Sequence, residues 1–508
     1  MVSELERRHK NLYHTISREE FAAAVAALDA RIPTLKRHQI IVQLMRLAVA
    51  VNDGHTNVHP QRDPKIGFRS LPLRLYLFDD GLHVRAAAPE HAGLVGAKVE
   101  AIGGVPVTEA IRRVSAIISR DNEVGVKPFV PIYLAMPEIQ NALGLSTTTE
   151  ASSLTLRKGN KKRTVEVPNG EVLPPMPSDT DTSLMTPGGW VDARASAAKP
   201  LWLVDALDLH RMVPLPDRKA LYIQLNEVGN EEGQTLEEFA SRIAAEAKAT
   251  NPERIVVDLR LARGGSGELR IPFFRELIKA EDEDTALYPI IGRSTFSATQ
   301  FIANDLDEYT EAVFVGEPTG SSPVHYGDSR RITLPNSGIT VRASTLWHQR
   351  GARERLDWIA PDVAAPLNFA DYTAGRDPAL EAALTATEPE PLNEQLSQAI
   401  ARGGLAEGLR LFDTYVADPK NAYADVPFQT ALAGYGLFNQ KRPQDAVKLI
   451  EHMIARYSGS ADAHYFLADT YALAKDRERA NAALDAALRI DRAHADALAL
   501  KQFLARSS

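Results

Sequence analysis

The hydrophobic positions of this chain change period several times, and each change marks an element. Between residues 17 and 51 apolar residues recur at helical spacing. The run 21-FAAAVAALDARI-32 follows Ser17 and Glu20, which match a capping box, and a second helix runs on from Arg37 until Asp53 and Gly54 stop it. From residue 71 the period drops to two: 71-LPLRLYLFDDGLHVRAAA-88 predicts two strands around Asp79-Asp80-Gly81. The segment 93–118 predicts a loop, a short strand, a Gly-Gly turn and a helix from Thr108. A further hairpin over 154–167 turns at Gly159-Asn160. Residues 169–200 are rich in Pro, Gly, Ser, Thr and Asp and read as a linker. Apolar strands then alternate with amphipathic helices: strand 220–228, helix 235–249, strand 254–261, a glycine turn at 263–267, helix 268–280, strand 288–292, helix 297–306 and strand 312–317. Such alternation implies crossover connections and a mainly parallel sheet.

After about residue 373 the chain is first Pro/Glu-rich and then purely helical. Gly434, Ala446 and Ile450 are matched by Ala468, Ala480 and Leu484, each 34 residues on. Tyr471 and Ala487 stand where a tetratricopeptide repeat places an aromatic and a small residue. Gly408 and Phe412 begin a weaker copy, 38 residues before Ala446 and Ile450. Small residues let paired helices approach and large ones fill the space between them.

Bulk properties narrow the partners. The 508 residues exceed a single hydrophobic core. The net charge is −8, and no Lys/Arg cluster is dense enough to track a phosphate backbone, which argues against nucleic acid. The absence of cysteine removes disulfides, thiolate nucleophiles and Cys-based zinc sites. The N-terminus MVSELERRHKNLYH is charged throughout and is no signal peptide. The longest apolar stretch, 39–51, is too short and too polar to span a bilayer.

Two local features carry candidate chemistry. Ser297 lies where a strand and loop pass into a helix, a place that suits either an N-cap or an exposed nucleophile served by first-turn N–H groups. The turn 263-RGGSG-267 suits either a tight connection or a loop presenting N–H groups to an anion. His55 and His59 have the i, i+4 spacing of a helical metal pair. Gly54 and Pro60 bracket them and no glutamate or third ligand accompanies them, so no metal or cofactor is expected.

The ordered set 53-DGHT-56, 93-GLVGAKVEAIGGVPVTEA-110, 221-LYIQL-225, 258-DLRLARGG-265, 295-TFSAT-299, 314-FVGEPTG-320 and 334-LPNSGI-339 resembles the tail-specific/tricorn-core serine peptidase family over roughly residues 8–370. The resemblance implies an α/β multidomain protein: an N-terminal helical subdomain (1–65), a PDZ-like domain (66–168), a connecting segment (169–215) and a crotonase-like α/β peptidase core (216–372). A linker (373–395) and the all-α TPR-like array (396–508) follow. It implies Ser297 as nucleophile, with Gly264, Gly265 and the Ala298 N–H forming the oxyanion hole. It implies residues Gly93, Leu94, Val95 and Gly96 as a carboxylate-binding loop for peptide. One family branch activates its serine with a lysine about 25 residues downstream. The first lysine after Ser297 is Lys420, so the other branch fits, in which a histidine serves as base. His55 occupies the matching motif. The acid is expected from Asp357 or Glu354, Asp357 being nearer the P-D of 358-WIAPDV-363. His325 and Tyr326 are candidates for lining the cleft. Ala262 departs from the asparagine usual in the family before the glycine pair.

The function expected is cleavage of peptides or unfolded proteins through an acyl-enzyme, with a protein partner held by the repeats and homo-oligomerisation left open. The alternative is a weak or inactive peptidase-like scaffold holding a peptide or an apolar ligand. The family resemblance points to the bacterial envelope, and the lack of a visible signal to the cytoplasm.

Overall fold

Helices start where their caps are. Ser17 Oγ accepts from the Glu20 amide while Glu20 returns a bond to the Ser17 amide, and the helix Arg18–Arg31 follows. Thr235 and Glu238 repeat the device before the helix Leu236–Thr250. A computed structural model of the chain describes residues 1–172, 181–195, 197–280, 284–349 and 356–506, and it forms two compact units, Met1–Ala386 and Thr387–Ser508.

In the first unit, helices Val2–Arg8, Arg18–Arg31 and Arg37–Val49 lead into an antiparallel sheet. Its hairpins are Leu73–Phe78 with Gly81–Ala87 and Ala151–Lys158 with Lys161–Pro168, both turning where the sequence predicts. Lys98–Ile102 lies between the two hairpins, and the helix Val107–Ser115 covers the sheet. One core joins these parts: Phe21, Ile41 and Met45 from the helices, Leu73, Val84 and Val99 from the sheet, and Ile332 and Val341 from the later hairpin Arg330–Thr333/Thr340–Ala343.

A second, six-stranded sheet runs in the order Val363–Ala364, Val315–Gly316, Ala286–Ile291, Arg254–Asp258, Ala220–Leu225, His210–Leu215. All its pairings are parallel except the last. Both faces are buried, as its near-continuous apolar runs require. Leu221, Ile223 and Ile255 face the helices Leu236–Thr250, Arg270–Ile278 and Ala298–Tyr309, while Tyr222, Val256 and Ile290 face Ala379 and Ala383 of the helix Pro378–Thr385.

Two segments read as connectors take part in this packing. His210–Leu215 is the sheet's edge strand. In 181–195, Leu184 is buried, the Asp181 amide donates to Leu261 O, and Val191–Asp192 pairs with the first sheet. Pro, Gly and Thr mark irregular backbone, but irregular backbone is often packed.

The second unit is a helical array: Leu392–Ala417, Val426–Asn439, Pro443–Ile454, Ala461–Leu473, Arg477–Ile490 and Ala495–Arg506. Gly404, at φ +73°, breaks the first of these into two. Ala446, Ile450, Ala468, Ala480 and Leu484 are all buried in one core, as the 34-residue pattern requires. Among the described residues no helix is long and apolar enough to cross a membrane.

Candidate active site

The strands Arg254–Asp258 and Ala286–Ile291 are parallel neighbours, so the chain leaves both at the same edge of the sheet. That edge is where doubly wound sheets bind ligands. The first exit carries Gly264-Gly265 and the second carries Ser297, and the two meet. A Cβ on Gly264 would stand 2.9 Å from Ser297 Cβ and 3.3 Å from its Oγ. Gly264 has φ +130° and Gly265 φ +129°, values that a side chain would strain. The loop is pinned from behind, because the Val228 amide donates to Gly264 O and the Ser266 amide to Val228 O. Ala262 is fully buried, and its carbonyl accepts from the Phe296 amide, next to the serine.

Ser297 stands at the N-cap position of the helix Ala298–Tyr309, yet its hydroxyl makes no capping bond. Its backbone is at φ +56°, ψ −123°, a sparsely populated region for a non-glycine residue and one that clusters at functional sites. The turn holds it there: Thr295 Oγ1 donates to Leu259 O and accepts from the Gly292 amide. The hydroxyl instead lies 2.9 Å from Nε2 of His55. Ala298, at the first helical position, has an amide with no intrahelical acceptor, and both it and Gly265 line the cleft beside the serine.

His55 arrives on the loop after the helix Arg37–Val49, and that loop is held by two carboxylates. Asp53 Oδ1 accepts from the amides of His55 and Thr56 and from Ser344 Oγ, at 2.6–2.8 Å, while Oδ2 lies 2.7 Å from His9 Nε2. Burial pushes the Asp53 carboxyl up, but the bonds and charge from His9, with those from Ser344 and Thr56, outweigh it and leave the group below its usual range. Asp121 Oδ1 accepts from the Gly54 amide and its Oδ2 from Ser321 Oγ. Complete burial lifts this carboxyl to about 7. The His55 ring stacks between Phe296 (4.5 Å) and His325 (5.5 Å). His325 donates from Nδ1 to Ser322 O, and burial, then the charge of His55, takes its pKa down to about 3.

The other expected residues are placed as follows. Asp357 has an exposed side chain, and its carbonyl accepts from Asn122 Nδ2 and Ser322 Oγ. Glu354 lies outside the described residues. His325 lines the cleft, while Tyr326 packs against His9, His14 and Trp347. In the loop 93–96, Leu94 is buried, the Gly96 amide donates to Val84 O, and the carbonyls of Gly93 and Val95 accept from Arg163 and Lys158. These four residues are not among those lining the Ser297 cleft. His59 lies 3.1 Å from the Tyr133 hydroxyl and stacks on Phe129. Among the described residues no His/Asp/Glu group is arranged to hold a metal ion.

Sequence reasoning missed the supports: His9, Asp53, Asp121, Asn122 and Ser344. His9 sits in a run that reads as charged surface, and nothing local distinguishes it. Asp53 had a signal, since an Asp two and three residues before unpaired amides is an Asx-turn former.

Comparison with known proteins agrees with this architecture. The fold is shared with mature CPAF complexed with lactacystin (TM-score 0.51, 13% identity, 74% of this chain and 95% of that one). It is shared likewise with mature CPAF alone (TM-score 0.50, 13% identity, 74% and 94%). A slighter likeness is to the photosystem II D1 C-terminal processing protease (TM-score 0.33, 15% identity, 74% and 96%). The family model for the tetratricopeptide repeat matches residues 437–502. No curated protein matches the sequence.

Proposed function

We propose that this protein is a serine peptidase of the tail-specific/tricorn-core kind, with Ser297 as nucleophile and His55 as its base. One observation carries the reading: across 242 residues of chain, His55 Nε2 is set 2.9 Å from Ser297 Oγ. In the reaction Oγ bonds to the peptide carbonyl carbon while His55 Nε2 takes the hydroxyl proton. The oxyanion is received by the amides of Gly265 and Ala298. The C–N bond then breaks, and the leaving amine takes the proton from His55. Water attacks the acyl-enzyme by the same route and frees Ser297. The acid that orients His55 comes from the segment holding Glu354 and Asp357. The first sheet serves as the PDZ-like module, the second as the crotonase-like core, and the helical array holds a protein partner. The envelope is the compartment this reading favours.

Fluorophosphonate labelling and cleavage of an unfolded protein test it. Ser297→Ala and His55→Ala each lose labelling and lower kcat by at least about 10³-fold. Glu354→Gln and Asp357→Asn are assayed side by side, and the true acid is the one whose loss costs about 10²–10⁴ in kcat. If the wild type neither labels nor cleaves, the protein is a binding scaffold instead.

A further inference from the structure

The cleft at Ser297 has a volume of about 600 Å³, and among its described lining residues the charge is one-sided. Arg62, Arg263, Arg270, Arg330 and Arg342 face Glu268 and Asp328, in a chain whose net charge is −8. Asp328 is tied to His348 Nε2 at 2.6 Å, and Arg270 to Asp305 at 2.9 Å. Arg62, Arg263 and Arg342 line the same cleft as His59, the histidine that catalysis does not use. After burial, their charges hold the His59 imidazole well below its usual range.

The scaffold sets these guanidiniums in place. Arg263 lies over the Phe129 ring at 4.4 Å and near Phe296 at 5.7 Å, and Phe296 immediately precedes the serine. Arg342 exchanges backbone bonds with Asn57 and donates to Ser329 Oγ. Each of the three is only half-buried. A cleft lined mainly by one sign of charge concentrates ligands of the other.

We propose that the cleft selects acidic peptide, seating Asp or Glu side chains close to the scissile bond on Arg62, Arg263 and Arg342. This rests on the peptidase reading for its chemistry, but not for its recognition. A free C-terminal carboxylate offers the same chemistry. One such group is matched by one guanidinium fork, and three lining one cleft fit a segment bearing several carboxylates.

Binding to the Ser297→Ala protein separates recognition from chemistry. The probes are a fluorescent peptide with consecutive glutamates and its glutamine twin, each with a free or an amidated C-terminus. The glutamate peptide is expected to bind at least about 10-fold more tightly with either terminus, the preference shrinking as salt rises. Arg62→Gln and Arg342→Gln, checked for folding by thermal melt, shrink it too. Equal binding of the glutamate and glutamine peptides overturns the proposal. So does a preference that vanishes on amidation, which assigns the arginines to the chain terminus. Fluorophosphonate labelling of wild-type protein reports on Ser297 independently: labelling with no glutamate preference leaves a peptidase without this selectivity, and glutamate preference without labelling leaves an acidic-peptide binder.

Discussion

A methyl group at position 264 would stand 2.9 Å from Ser297 Cβ, on a backbone at φ +130°. Gly264→Ala therefore strains the loop and displaces Ser297 together. The expected cost is about 1–3 kcal/mol in a denaturation midpoint and about 10²-fold in kcat, since small misplacements of reacting atoms are amplified. At Asp121 the effect is on pH. Burial, followed by the charge of Asp53, outweighs the bonds from Ser321 and Gly54 and raises its folded pKa from 3.8 to about 7. A raised carboxyl pKa means that its stability contribution is whole below the unfolded value and is lost as pH climbs through the folded one. Between about pH 5 and about pH 8, the Tm of the wild type should fall relative to that of Asp121→Asn. A constant difference between the two would remove Asp121 as the cause. The sequence marks Gly264 as part of a glycine turn but not its close approach to Ser297, which depends on a neighbouring loop, and it gives no sign of Asp121, whose role depends on burial.

At the level of elements, the repeat helices show how far periodicity carries. The 34-residue spacing locates Gly434 and Ala468 as equivalents, and position 434 accepts the methyl that position 468 carries once one neighbouring side chain gives slightly. A Cβ there would lie 3.3 Å from Ile450 Cδ1, the movable end of that side chain. Gly434→Ala should raise the helical unit's stability by up to about 1 kcal/mol, as glycine is a poor helix residue. Gly408 is different. Its Cβ would fall 2.4 Å from Ile400 Cγ1, where the break at Gly404 folds one helix onto the next. Gly408→Ala should cost about 1–3 kcal/mol by overpacking. Calorimetry of the full chain separates the two, and a fall in the transition for Gly434→Ala would contradict this account. The pattern identifies both glycines as contact positions, and only the packed helices tell which one is full. The hairpins at 73–87 and 151–168 were equally legible, because turn chemistry and alternation are local. The strands 325–327 and 346–348 were not, since each is short and its partner lies beyond an intervening hairpin.

On the scale of the whole molecule, the Ser297–His55 pair, its supports and the cleft's arginines all belong to Met1–Ala386, and the repeats to Thr387–Ser508. A protein ended at Ala386 should keep fluorophosphonate labelling and short-peptide cleavage within about twofold, as a compact unit with its own core acts alone, and lose whatever protein partner the repeats hold. Loss of labelling would make the array part of the active unit. The chain by itself determined its element periods, the parallel character of its second sheet, the repeat register and the candidates Ser297 and His55. The first three follow from local propensity and from spacing along the chain, and the two candidates from the ordered motifs and the family resemblance they carry. Only the tertiary structure decided that Ser297 gives up capping to face His55, that Asp53 and Asp121 hold the histidine loop, and that His59 stands among arginines. Those facts depend on groups as far apart as Asp53 and Ser344, 291 residues, and sequence spacing carries no distance information once two sheets have folded between them.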